Sequence, residues 1–255
     1  MKRRTRTSAL GAAALAATAL ATIALLTTSL AALAYIPSAA SLVRRAASRV
    51  SEGSRSREVT LTGWLWLGEK DAVGATLGLR FPLSCALQTA AGSASANSRE
   101  PGRPQLEDKG LGAEATDLLR LACPLLAYRG QTAPQAEQSL RAAALAAGVA
   151  PELAPTTLAR LYDRVTIVLG AGARQLDRPQ LWLYKDNSAP ARLLARQGDR
   201  LDDLRLLQYG NPAAGDWFPR VVELWRGNAL VARFESLEVK GFSDSGPADE
   251  DDGRE

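Results

Sequence analysis

The chain has 255 residues, 46% of them hydrophobic, with 31 basic and 27 acidic side chains for a formal net charge of +4. Lys2, Arg3, Arg4 and Arg6 account for all of that excess, so the chain from Tyr35 onward is neutral and lacks the dense basic footprint of a nucleic-acid binder. The chain contains no histidine, which excludes Ser-His and Cys-His nucleophile pairs and the usual zinc sites.

The first element is a targeting segment. The four basic residues precede an uncharged run from Ser8 to Ala34, and Ala32-Leu33-Ala34 places small residues before Tyr35, as a signal-peptidase site requires. Residues 1–34 therefore read as a signal peptide of an exported, periplasmic protein. The alternative is an uncleaved anchor tethered to the inner membrane, since about 20 apolar residues span a bilayer.

Ser38 to Ser51 reads as a helix, with Leu42, Val43, Ala46, Ala47 and Val50 on one face and Arg44, Arg45 and Arg49 off it. Glu58 to Gly68 reads as a strand rich in β-branched and aromatic residues, followed by strands at Ala75 to Phe81 and Ser84 to Thr89. Ala90 to Gly112, full of Ser, Gly, Pro and charge, reads as one long loop. Helices are expected over Ala113 to Tyr128 and Thr132 to Ala147, the second opened by an N-cap at Thr132, Pro134 in the first turn and Gln135 completing a capping box. A short helical turn is expected at Pro155 to Tyr162.

The last third reads as an antiparallel meander. Its strands are Arg164–Leu169, Pro179–Lys185, Ala191–Gln197, Asp203–Tyr209, Arg220–Trp225 and Ala229–Lys240, separated by Gly-, Asn- and Asp-rich turns. Gly241 onward is acidic and rich in Ser and Gly, and the last residues, 243–255, are expected to be a disordered tail. Gly170-Ala171-Gly172-Ala173 follows a strand but leads into another strand, so it lacks the helix N-terminus that a phosphate-binding turn needs. Asp202-Asp203 reads as a solvated pair. No cofactor is expected.

Cys85 and Cys123 are an even count in an exported chain and read as one disulfide, with two buried free thiols as the alternative. Trp64 and Trp66 share one face of their strand, with Leu61, Leu65 and Leu67 opposite, and Trp182 with Tyr184 repeats the pattern against Leu181 and Leu183. Strands apolar on both faces need cover on both.

One helix, three strands, a helical middle and a strand-rich second half resemble the periplasmic lipoprotein-carrier (LolA-like) family. Most of the resemblance lies in Pro179-Gln180-Leu181-Trp182-Leu183-Tyr184-Lys185-Asp186 with Ala191-Arg192-Leu193-Leu194, and in Trp217-Phe218-Pro219-Arg220-Val221-Val222-Glu223-Leu224 with Leu230-Val231-Ala232-Arg233-Phe234-Glu235. The resemblance implies an α+β domain over 38–242, a curved antiparallel sheet (an incomplete β-barrel) wrapped round helices. It implies a non-enzymatic carrier of lipid or of an acylated protein, held in an apolar cavity. Trp64, Trp66, Trp182, Trp225 and Phe234 are the expected lining, and the helical middle is the expected lid. A cell-envelope scaffold with a filled core is the alternative, its stretch from Arg44 to Arg57 meeting a membrane surface or a partner.

Overall fold

The structure is a computed structural model that describes residues 37–51, 56–98, 104–128, 131–149, 157–210 and 218–243. Residues 1–34, read from the sequence as a signal peptide, the expected tail beyond Ser243, Arg55 and Trp217 lie outside the described residues.

Among the described residues three helices accompany one twelve-stranded sheet. In chain order these are α1 (Ala39–Ser51), β1 (Ser56–Leu67), β2 (Val73–Arg80), β3 (Ser84–Thr89), β4 (Gly92–Asn97), β5 (Gln105–Lys109), α2 (Ala113–Leu126), α3 (Ala133–Ala146), β6 (Thr157–Leu161), β7 (Arg164–Leu169), β8 (Gln180–Tyr184), β9 (Pro190–Gln197), β10 (Arg200–Tyr209), β11 (Pro219–Arg226) and β12 (Ala229–Ser243). The sheet order is β5-β4-β3-β2-β1-β12-β11-β10-β9-β8-β7-β6, and the named strands pair antiparallel throughout. Two meanders are thus joined at one seam, β1 against β12, and the sheet is curved and open, wrapped round the helices.

Alternation along the strands decides what the helices cover. In β1 Val59, Leu61 and Leu65 are buried while Thr62 and Trp64 are exposed. Leu77 and Leu79 of β2, Leu87 of β3, Leu181 and Leu183 of β8, Leu204 and Leu206 of β10 and Phe234 of β12 join the same core as the helices. Each such aliphatic side chain, fully withdrawn from water, contributes roughly 1.5–3 kcal/mol before entropy is counted. In α1, Leu42, Val43, Ala46 and Ala47 are buried and Arg44 and Arg45 exposed, as the spacing predicts. Ser38 caps this helix, its Oγ accepting the Ser41 N–H at 3.2 Å. In α3 the capping box is present, with the Thr132 N–H donating to Gln135 Oε1 at 3.1 Å.

Three sequence expectations are corrected. The stretch from Ala90 to Gly112 is not one loop, since it holds β4 and β5. The strand β4, Gly-Ser-Ala-Ser-Ala-Asn, has little side chain to signal a period, yet Ala94 and Ala96 are buried under α2, where small residues let a helix come close. The strand β5 is exposed along its whole length and is charged, as suits a sheet edge. Tyr162 does not end a helical turn: Thr157–Leu161 is the strand β6. Gly241 does not open the tail, because β12 runs to Ser243.

Cys85 of β3 and Cys123 of α2 form a disulfide, with Cα atoms 5.8 Å apart. It fastens α2 to the first meander from the helix-facing side.

Candidate functional site

Between α2, α3 and β9 lies a cavity of about 530 Å³, within the range of small-molecule sites, about 300–1,000 Å³. Leu121 and Pro124 of α2, Ala143 and Ala146 of α3, Ala147, and Leu193 and Ala195 of β9 give it an apolar wall. Its polar lining comes from Arg120 and Gln197. The local cause is composition. The sequence Arg-Ala-Ala-Ala-Leu-Ala-Ala at 141–147 forms a good helix but presents methyl groups where leucines would fill the gap to the sheet.

Arg120 belongs also to an ionic cluster. Its Nη2 donates to Asp117 Oδ1 at 2.8 Å and to Asp202 Oδ2 at 3.4 Å. Arg200 donates to Asp117 at 3.3 Å and to Asp202 at 3.1 Å. Arg226 donates through Nε to Asp202 at 3.0 Å and through Nη2 to Asp117. Asp202 is fully buried, so the sequence expectation of a solvated Asp202-Asp203 pair is corrected: both side chains lie within β10 and both are ion-paired. Burial pulls the Arg120 guanidinium below its ordinary pKa, against the carboxylates of Asp117 and Asp202 and with the help of Arg200 and Arg226. Arg120 Nε is buried and has no hydrogen-bond partner among the described residues.

The tryptophans are elsewhere. Trp64, Trp66, Trp182 and Trp225 stand on the sheet face turned away from the helices, because the leucines that alternate with them occupy the helix-facing side. There they form a band with arginines and carboxylates across six neighbouring strands, β8 to β1. Gln180 Oε1 accepts from Trp182 Nε1 at 2.8 Å, and the Arg192 guanidinium lies 4.9 Å from the Trp182 ring centre. Arg192 donates twice to Asp203, at 2.6 and 2.7 Å. Arg205 donates to the same carboxylate at 2.8 Å and lies 4.7 Å from the Trp225 ring centre. Trp225 Nε1 donates to Glu223 at 2.9 Å, and Arg233 donates to Glu223 at 2.7 Å while lying 5.8 Å from the Trp66 ring centre. Stacked cations of this kind contribute about 0.5–2 kcal/mol each and keep indole surface from water.

The expected lining lies apart from this cavity. Phe234 lies on the helix-facing side but is fully packed in the core, and none of the five expected residues borders the cavity. Trp64, 44% exposed, borders a groove of about 460 Å³ on the other face, with Thr62, Thr76, Gln88 and Leu237. Sequence reasoning missed Arg120. The available signal was Asp117 and Arg120, three apart on an otherwise leucine-rich helix.

No family model and no curated protein matches the chain. Among solved structures it is similar to a domain assigned to outer membrane lipoprotein sorting from Vibrio parahaemolyticus, at 9% identity and TM-score 0.49, covering 82% of this chain and 94% of that one. It is also similar to a LolA superfamily protein from Nitrosomonas europaea, at 11% identity and TM-score 0.44, covering 80% and 94%. At this identity the likeness is one of fold.

Proposed function

We propose that this domain is a non-enzymatic binder or carrier of an acyl chain outside the cytoplasm, with residues 1–34 directing its export. The observation that supports the reading is the apolar cavity of about 530 Å³ between α2, α3 and β9. Its wall offers methyl and methylene groups, and each ligand CH₂ withdrawn from water contributes about 0.8 kcal/mol, so a long chain is held by desolvation with no covalent step. Leu145 of α3, 54% exposed beside the cavity, is where a chain would enter, and α3 is the element that would move to admit it.

Native mass spectrometry of the purified exported protein tests this. A bound species of lipid mass, released on denaturation, is the expected result. Protein mass alone, with no uptake of added fatty acid, would overturn it. N-terminal sequencing of the same sample reads Tyr35 if the segment is cleaved and Met1 if it is retained.

A second reading, an envelope scaffold, draws support from the fully packed core around Leu65, Leu181 and Phe234. It expects no ligand in the same spectrum.

A further inference from the structure

The cavity is apolar along its wall and cationic at one side. Among the described residues Arg120, Arg200 and Arg226 share two carboxylates, Asp117 and Asp202, so the ionised cluster, counted over those residues, carries one positive charge in excess. Asp202 already accepts from all three guanidiniums and is fully buried. Within the cluster Arg120 is the member that borders the cavity. Both of its hydrogen bonds leave from Nη2, and its buried Nε remains without an acceptor among the described residues. A buried donor left unpaired costs about 1–3 kcal/mol. A single negative charge from a ligand would balance the cluster and supply the missing acceptor, and a planar guanidinium is suited to carboxylate and phosphate oxygens.

We propose that the cavity takes a long-chain amphiphile bearing one negative charge, a carboxylate or a phosphodiester, with the anionic group on Arg120 and the chain along Leu121, Pro124, Ala143 and Leu193. The proposal rests on the acyl-binding reading above and adds the ligand's head. A neutral lipid would leave the excess charge in place.

The test uses the full exported chain, stripped of lipid, and three probes that share a sixteen-carbon chain: palmitate, hexadecanol and palmitoyl lysophosphatidylglycerol. Affinities come from displacement of an environment-sensitive fluorophore. At least one of the two anionic probes is expected to bind about tenfold or more tightly than the alcohol, and which one does so identifies the source of the charge. Arg120→Met should bring the anion-to-alcohol ratio towards one, while Arg120→Lys should keep most of it. Circular dichroism checks that each variant is folded. If Arg120→Met does not fold, the wild-type ratio and Arg120→Lys carry the test. Equal binding of alcohol and both anions by the wild type overturns this proposal and leaves acyl binding standing. An anion preference that survives intact in folded Arg120→Met also overturns it. Failure of all three probes overturns the acyl-binding reading itself.

Discussion

Arg192 of β9 grips Asp203 of β10 with both arms of its guanidinium, at 2.6 and 2.7 Å, on the sheet face turned away from the helices. Both side chains are about 10% exposed, so the pair is largely shielded from water beneath Trp182. Breaking a buried pair from one side strands the other charge and costs about 3–5 kcal/mol. Asp203→Ala strands two guanidiniums, Arg192 and Arg205, and is expected to lose that amount in urea unfolding. Arg192→Met leaves Asp203 paired with Arg205 and should lose clearly less. Equal losses would show that the two arginines do not share the carboxylate as described.

The Cys85–Cys123 bond closes a separation of 38 residues and is expected to contribute about 3–4 kcal/mol. Cys85→Ala with Cys123→Ala should lower Tm to that of the wild type in dithiothreitol. Because Cys123 follows the cavity residue Leu121 on the same helix, the double variant should also weaken fatty-acid binding.

A methyl group at Gly63 would fall 1.9 Å from the carbonyl oxygen of Glu235, at the register shift in the β1–β12 seam. The obstacle is backbone and cannot swing aside. Gly63→Ala is expected to cost at least the 1–3 kcal/mol of an overpacked core. Hydrogen exchange should show the loss of protection concentrated in β1 and β12. Gly68→Ala is the comparison: it meets nothing within 4 Å but sits at φ +61°, so it should cost only its local strain.

Burial pushes the Tyr184 hydroxyl up to about 12, opposed by Arg164, while its O–H donates to the Leu206 carbonyl at 3.1 Å. The folded state therefore holds this proton more tightly than the unfolded chain, where the value is near 10. The stability it supplies is complete below pH 10 and is lost as pH rises towards 12, about 2–3 kcal/mol over the window. Tyr184→Phe should be less stable than wild type at pH 8, and the difference should shrink across that window. A constant difference would remove Tyr184 as the titrating group.

Ala143 borders the cavity and is 5% exposed. Ala143→Phe should fill the space at little cost in Tm and abolish uptake of fatty acid in native mass spectra. In a packed core the same change would cost about 1–3 kcal/mol. The same substitution at Ala46, buried in α1 away from the cavity, should show that cost.

Much of this fold is legible in the residues. Six of the seven strands of the second meander, β7 to β12, declare themselves by apolar runs between Gly and Asn turns, and α1 and α3 by spacing and caps. The strand β4 does not, because alanine and serine carry too little hydrophobic contrast to show a period of two. The tryptophans teach a narrower lesson. Alternation told that Trp64 and Leu65 oppose each other, but not which of them meets the helices, since both sides of β1 are apolar. The cavity and Arg120 were not legible, because they depend on how far an alanine face of α3 stands from β9, a distance that no local pattern encodes.

The seam between β1 and β12 sets the order in which the sheet can be completed. Its strands are β12, the last of the twelve in chain order, and β1, the first. Without Ala229–Ser243 the two meanders share no ladder, and β1 and β11 are left as raw inner edges. A sheet closed by its first and last strands gains its central ladder in one long-range step, so its two halves are locked together at once and not one after the other.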